Sequence, residues 1–187
     1  MSRAFPFLNK VIQTEFDGYR FRSKLEARWA LFFKLIGLEY EYEPEGFETI
    51  AGRYLPDFKL MPEEIYIEIK QSLDTDDFAK IFNLSNDLPI ITLIGRPDCF
   101  KGFMLLPDGN AGSVVGIRAG GDSEKVCWYF ELFLETNIKT ELPWGKRMDD
   151  RALAAAKLCK SVRFEKGKAK LFPSQKEIEL LNLGRAV

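Results

Sequence analysis

The 187-residue chain predicts an α/β fold in which one mixed sheet lies between helices. Three observations carry this: a 3.6-residue apolar repeat early in the chain, period-two alternation in the stretches after it, and a short, nearly all-apolar run further on. In "SKLEARWALFFKLIG" the residues Leu25, Trp29, Phe32, Phe33 and Ile36 recur at helical spacing, Ser23 can cap the start and Gly37 can close the end. "LEYEYEPEGF" sets Leu38, Tyr40 and Tyr42 against three glutamates, a strand broken at Pro44 and Gly46. "RYLPDFKLM" and "IYIEIK" are two further strands around a turn at Pro62, Glu63 and Glu64. Asp74 or Thr75 caps a second helix running through Phe78, Ile81 and Phe82, and "PIITLIG" is a strand buried on both faces. The predicted order is helix, three strands able to run as a meander, helix, strand.

Beyond Gly95, "GFMLLPDG", "AGSVVGIRAGG" and "KVCWYFELFLE" read as further strands. "MDDRALAAAKLCKSVRFEKG" reads as a helix capped by Asp149 and stopped near Gly167, and "SQKEIELLNL" as a last amphipathic turn or two. The simplest organisation is a core over residues 1–96 and a C-terminal extension over 97–187 packed on the same domain. Hydrophobic residues make up 46% of the chain and aromatics 13%, which sets disorder aside. No stretch approaches the roughly 18 to 20 apolar residues of a membrane span, and no secretory signal opens the chain, so a cytoplasmic protein without membrane association is expected. Cys99, Cys127 and Cys159 are odd in number and far apart, and read as reduced core residues rather than disulfide or zinc partners. The chain has no histidine, which excludes mechanisms that need an imidazole and leaves carboxylates, lysine or metal-bound water.

The net charge of -1 conceals a polarity along the chain. Residues 1–34 carry seven basic and three acidic side chains, residues 35–138 eight and nineteen, and residues 139–176 eleven and four. The basic flanks allow a nucleic-acid partner that the total charge does not announce. A solvated helix face accounts equally well for the 139–176 segment.

The chemistry concentrates in "YLPDFKLMPEEIYIEIKQ", residues 54–71. In a hairpin turning at residues 62 and 63, Asp57 stands opposite Glu68 and Phe58 opposite Ile67. Alternation puts Ile65, Ile67 and Ile69 on one face and Tyr66, Glu68 and Lys70 on the other. Two carboxylates about 4.5 to 5.5 Å apart at Cβ repel unless a cation separates them, and hard oxygen donors suit Mg²⁺. A metal there activates water and neutralises a phosphodiester in its transition state, and an adjacent lysine can hold or deprotonate that water. Glu26 lies at the edge of the first helix's apolar face, able to point to the sheet. Yet Ser23-Lys24-Leu25-Glu26 is also a capping box, and local sequence favours the cap.

Pro56-Asp57, ten intervening residues, then Glu68-Ile69-Lys70, preceded by a helix with Glu26, resembles the PD-(D/E)XK nuclease superfamily. "RFRSKLEARWALFFKLIGLEYEYEPEGF", "YLPDFKL" and "YIEIK" resemble small members found in phages and other mobile elements, over roughly residues 18–96; "AAAKLCKSVRFEKG" is similar to their closing helix. The resemblance implies a restriction-endonuclease-like αβββαβ core and Mg²⁺ or Mn²⁺ as cofactor. It implies that Asp57, Glu68 and the Ile69 backbone carbonyl bind the metal, and that Lys70 positions the nucleophilic water. Glu26 becomes an active-site acid, acting directly or through water, against the capping preference, and Gln71 a possible support of the same site. The expected partner is nucleic acid, most simply DNA, with a homodimer suited to double-strand cutting.

Arg20 and Arg22 can meet phosphates or form surface salt bridges with Glu43 and Glu45. Lys146 and Arg147, beside Trp144 and the Trp128-Tyr129-Phe130 run, can bind single-stranded bases, though aromatics in alternating strands are more often core. A glycosidase also uses paired carboxylates, but nothing here supplies a sugar rationale. The remaining alternative is an inactive nuclease-fold module that binds nucleic acid or a protein.

Overall fold

A computed structural model describes residues 13–62, 64–107, 111–114 and 149–182. In chain order its elements are β1 (Thr14–Phe16), β2 (Tyr19–Phe21), α1 (Lys24–Ile36), β3 (Glu39–Tyr42), β4 (Phe47–Thr49), β5 (Gly52–Tyr54), β6 (Phe58–Met61) and β7 (Ile65–Lys70). They continue with α2 (Thr75–Leu84), β8 (Ile90–Arg96), β9 (Cys99–Leu105), β10 (Ala111–Val114), α3 (Asp149–Ser161), β11 (Arg163–Glu165), β12 (Lys168–Lys170) and α4 (Gln175–Leu180). Among the described residues no helix is long and apolar enough to cross a membrane.

The centre is a six-stranded mixed sheet in the order β10-β9-β8-β7-β6-β3. Strands β3, β6 and β7 are antiparallel neighbours; β7 and β8 are parallel, joined by α2 as a parallel pair requires. Helices α1 and α3 cover one face of the sheet, with Ile65, Ile67 and Ile69 in their core. Tyr66, Ile81, Leu84 and Ile90 form a second, smaller core on the other face, where α2 lies against β4 and β5. The predicted α/β class with a central mixed sheet is what is found.

Helix α1 forms as its spacing requires. Ser23 Oγ accepts from the Glu26 amide at 3.1 Å, and Gly37, at φ 83°, closes the helix in the left-handed conformation. Its buried stripe includes Trp29 and Phe33; Trp29 Nε1 donates to the Gly95 carbonyl at 2.9 Å, and Phe33 meets Phe58 edge-on at 5.4 Å. Gly95 itself has φ 107°, and a Cβ there would lie 2.6 Å from the Cys99 carbonyl oxygen, so only glycine fits. Helices α1 and α3 satisfy each other's ends: Arg28 Nε donates to the Cys159 carbonyl and Arg151 Nε to the Leu35 carbonyl.

Several expectations need correction. The stretch 53–61 is two strands, because the chain leaves β5 at Leu55 and Pro56 and re-enters the sheet at Phe58; β5 pairs instead with β4. On α2 only Ile81 and Leu84 are buried, while Phe78 and Phe82 are 43% and 50% exposed and stack on each other. The helix expected to reach Gly167 ends at Ser161. Val162 turns into the core there, and Lys166 and Gly167, both at positive φ, form a two-residue hairpin between β11 and β12. The hairpin β1–β2 went unread although Asp17-Gly18 is its signal: both residues have positive φ and link Phe16 to Tyr19. Cys159 is buried as expected, but Cys99 is exposed. Arg96 pairs with Cys99 across the β8–β9 hairpin, and Ala155 and Leu158 of α3 share the core of α1.

Candidate functional site

The ends of β3 and β7, the start of β6 and the first turns of α1 and α2 meet at one end of the sheet. This follows from the antiparallel register: Tyr42, closing β3, pairs with Phe58, opening β6, which pairs with Ile67 near the end of β7. Asp57 immediately precedes Phe58, so continuing the register sets it opposite Glu68, as the hairpin arithmetic requires. Asp57 and Glu68 are 3% and 4% exposed, although carboxylates are almost never so buried without a partner.

Each carboxylate has a different set of partners. Asp57 Oδ1 accepts from Arg22 Nη2 at 2.9 Å and its Oδ2 from the Ile69 amide at 2.7 Å. Glu68 Oε1 pairs with Lys70 Nζ at 3.0 Å, while its Oε2 is buried with no hydrogen-bond partner. Burial, then the charges of Glu68 and Glu26, raise the Asp57 carboxyl well above the ordinary carboxylate range, against the Ile69 amide and Arg22. Burial also raises Glu68, and Lys70 pulls it back in part. The pair is therefore short of positive charge.

Lys70 lies between two acids, 3.0 Å from Glu68 and 2.8 Å from Asp77 Oδ1. Burial would lower its pKa, but Asp77 and Glu68 outweigh that and the net shift is upward. It is held as a cation, suited to orienting a water or a phosphate rather than to removing a proton. Asp77 is placed by its helix: Asp74 caps α2 by accepting from the Asp77 amide at 2.8 Å, which makes Asp77 a first-turn acid.

Glu26 is buried at 8% exposure, and its Oε2 accepts from the Tyr42 hydroxyl at 2.6 Å and the Arg22 amide at 3.1 Å. Only half of the capping box forms, therefore: Ser23 caps, and the Glu26 side chain turns to the site rather than to the Ser23 amide. Burial first, then the bond to Glu26, raises the Tyr42 phenol. Burial, then Glu68, does the same to Tyr54, whose hydroxyl lies beside Glu68. Glu43, at φ 47°, donates its amide to the Asp57 carbonyl and pairs its carboxylate with Arg22 Nε at 2.6 Å. A non-glycine residue in that conformation is uncommon, and here it brings a second acid to the Arg22 guanidinium beside Asp57.

The structure thus gathers Glu26, Asp57, Glu68, Lys70 and Arg22. Gln71, one residue past β7, is exposed, and Arg20 faces a different cavity. Lys146, Arg147, Trp144 and Trp128-Tyr129-Phe130 lie outside the described residues. Sequence reasoning missed Asp77, Tyr42 and Tyr54, whereas the Arg22–Glu43 salt bridge is one it allowed; of the missed residues only Asp77 carries a local signal, the Asp74-x-x-Asp77 spacing of a helix start. Among the described residues no three acidic or thiol groups converge as a ready metal cage. Two converging carboxylates with hard oxygen donors, one oxygen of them buried and unpartnered, nonetheless fit a Mg²⁺-type ion, which takes one or two carboxylates and keeps waters. No family model, no curated protein and no solved structure matches this chain.

Proposed function

We propose that the protein is a divalent-metal-dependent nuclease of the PD-(D/E)XK, restriction-endonuclease-like type, hydrolysing phosphodiester bonds of DNA. The observation that carries the reading is the buried cross-strand pair Asp57 and Glu68, electrostatically incomplete and flanked by a cationic Lys70. Asp57, Glu68 and the Ile69 carbonyl would hold Mg²⁺ or Mn²⁺. The ion, when bound, supplies Lewis acidity for the attacking water and neutralises charge on the scissile phosphate. Lys70, steadied by Asp77, orients that water, and Glu26, fixed by Tyr42, contributes negative charge at the edge of the site. Arg22, half-exposed and joined to Asp57, is positioned to meet a substrate phosphate.

One observation favours a second reading, an inactive nuclease-fold module that binds nucleic acid: both Asp57 oxygens already have donors, Arg22 and the Ile69 amide. The deciding experiment incubates plasmid, linear, single-stranded and branched DNA and RNA with Mg²⁺ or Mn²⁺, using wild type, Asp57→Ala and Lys70→Ala. Metal-dependent cutting lost in both variants supports the nuclease. Equal cutting by all three proteins identifies a contaminant, and binding without cutting in any metal favours the inactive module.

A further inference from the structure

The acid cluster described above cannot attract a polyanion unaided: Glu26, Glu43, Asp57, Glu68 and Asp77 outnumber Arg22 and Lys70. The positive charge lies next door. Hairpin β1–β2, the first half of α1 and hairpin β11–β12 enclose a cavity of about 610 Å³. Its wall carries Arg20, Lys24, Arg28, Arg163 and Lys166 against Glu15 and Glu165. These cations come from residues 20–28 and 163–166, so the two basic flanks of the chain, far apart in sequence, converge on one concavity.

Two further features point to an anion. Arg20, Lys24, Arg163 and Lys166 are exposed and form no ion pair within the described residues, whereas Arg28 is steadied by its bond to the Cys159 carbonyl. Beside the cavity, Arg163 is the direct cross-strand partner of Lys170, a like-charge pairing that destabilises a hairpin unless something negative shares it. The cavity also adjoins the acid cluster. Arg20 on its wall and Arg22 on Asp57 are two residues apart, roughly 7 Å of extended backbone.

We propose that this cavity is a second nucleic-acid contact, which grips the phosphodiester backbone of the strand that enters the Asp57–Glu68 site. The identity of the polyanion rests on the nuclease reading. The contacts are to phosphate and carry no base specificity, so they set affinity and salt dependence rather than sequence preference.

The test is anisotropy of a labelled DNA duplex with the full-length chain in EDTA, where no cutting occurs, across a salt series. Wild type is compared with the triple variant Lys24→Ala/Arg163→Ala/Lys166→Ala, with the single variant Arg163→Glu, and with Lys101→Ala as a surface control. Loss of three phosphate contacts should weaken binding by at least about tenfold and reduce the slope of log Kd against log salt by about 2 to 3. Arg163→Glu should weaken binding on its own, and Lys101→Ala should change nothing. Unchanged Kd and slope in a triple variant with a native melting curve overturn the proposal. So does competition by a mononucleotide or inorganic phosphate at low millimolar concentration, which would make the cavity a small-anion pocket. Wild type that binds through these residues but never cuts in metal removes the nuclease reading alone, while cutting that is indifferent to the triple variant removes this one alone.

Discussion

Lys70 is one ammonium held between two acids, Glu68 on its own strand and Asp77 on the next helix. Partners of this kind, one step removed from the chemistry, typically cost about 10- to 100-fold when lost. Asp77→Asn should therefore slow turnover at saturating DNA by at least about tenfold, with KM little changed, in steady-state cleavage. The buried pair makes a separate prediction. Asp57 and Glu68 are raised in the folded state, so each binds its proton more tightly there than in the unfolded chain. Their contribution to stability is full below the unfolded carboxylate pKa, near 4, and is lost as pH rises through the raised values. In EDTA, the melting temperature of wild type should fall relative to Asp57→Asn/Glu68→Gln as pH rises above the ordinary carboxylate range, near 4. A difference that stays constant as pH rises would mean that burial does not raise the pair.

Helix α1 and helix α2 show how differently two amphipathic patterns can be used. In α1 the aromatic stripe is what the sheet receives, with Trp29 1% and Phe33 2% exposed. Phe33→Ala should cost about 3–5 kcal/mol in denaturant unfolding, because the ring's contacts with Trp29, Tyr40 and Phe58 would become a cavity. In α2 the larger apolar side chains stay outside, and the small second core accepts Ile81 and Leu84. Ile81→Ala should therefore destabilise by about 2–5 kcal/mol, whereas Phe82→Ser should stay within about 1 kcal/mol of wild type. Periodicity identified both helices, both caps of α1 and the N-cap of α2, but it shows only which residues share a face, not that the sheet covers Ile81 and Leu84 while Phe78 and Phe82 stay half-exposed.

Among the described residues, acid and base concentrate in neighbouring places. The acidic centre of the chain provides Glu43, Asp57, Glu68 and Asp77 at the end of the sheet, α1 adds Glu26, and residues 20–28 and 163–166 supply the cations of the neighbouring cavity. A ligand that binds only the folded state stabilises it by mass action, so millimolar Mg²⁺ or Mn²⁺ should raise the melting temperature of wild type, and the increment should vanish in Asp57→Ala. No increment in either would remove the metal from the proposed function. The sequence by itself determined the α/β class, α1 with both its caps, the β6–β7 register and hence the opposition of Asp57 and Glu68, because these depend on periodicity, capping and turn position within a few residues. Only the tertiary structure decided that Glu26 turns to Tyr42 rather than to its cap, that Asp77 from a different element holds Lys70, and that Arg20 and Arg163 line one cavity. Those pairings join residues on separate elements, and which elements become neighbours is set by how the whole chain buries its apolar surface.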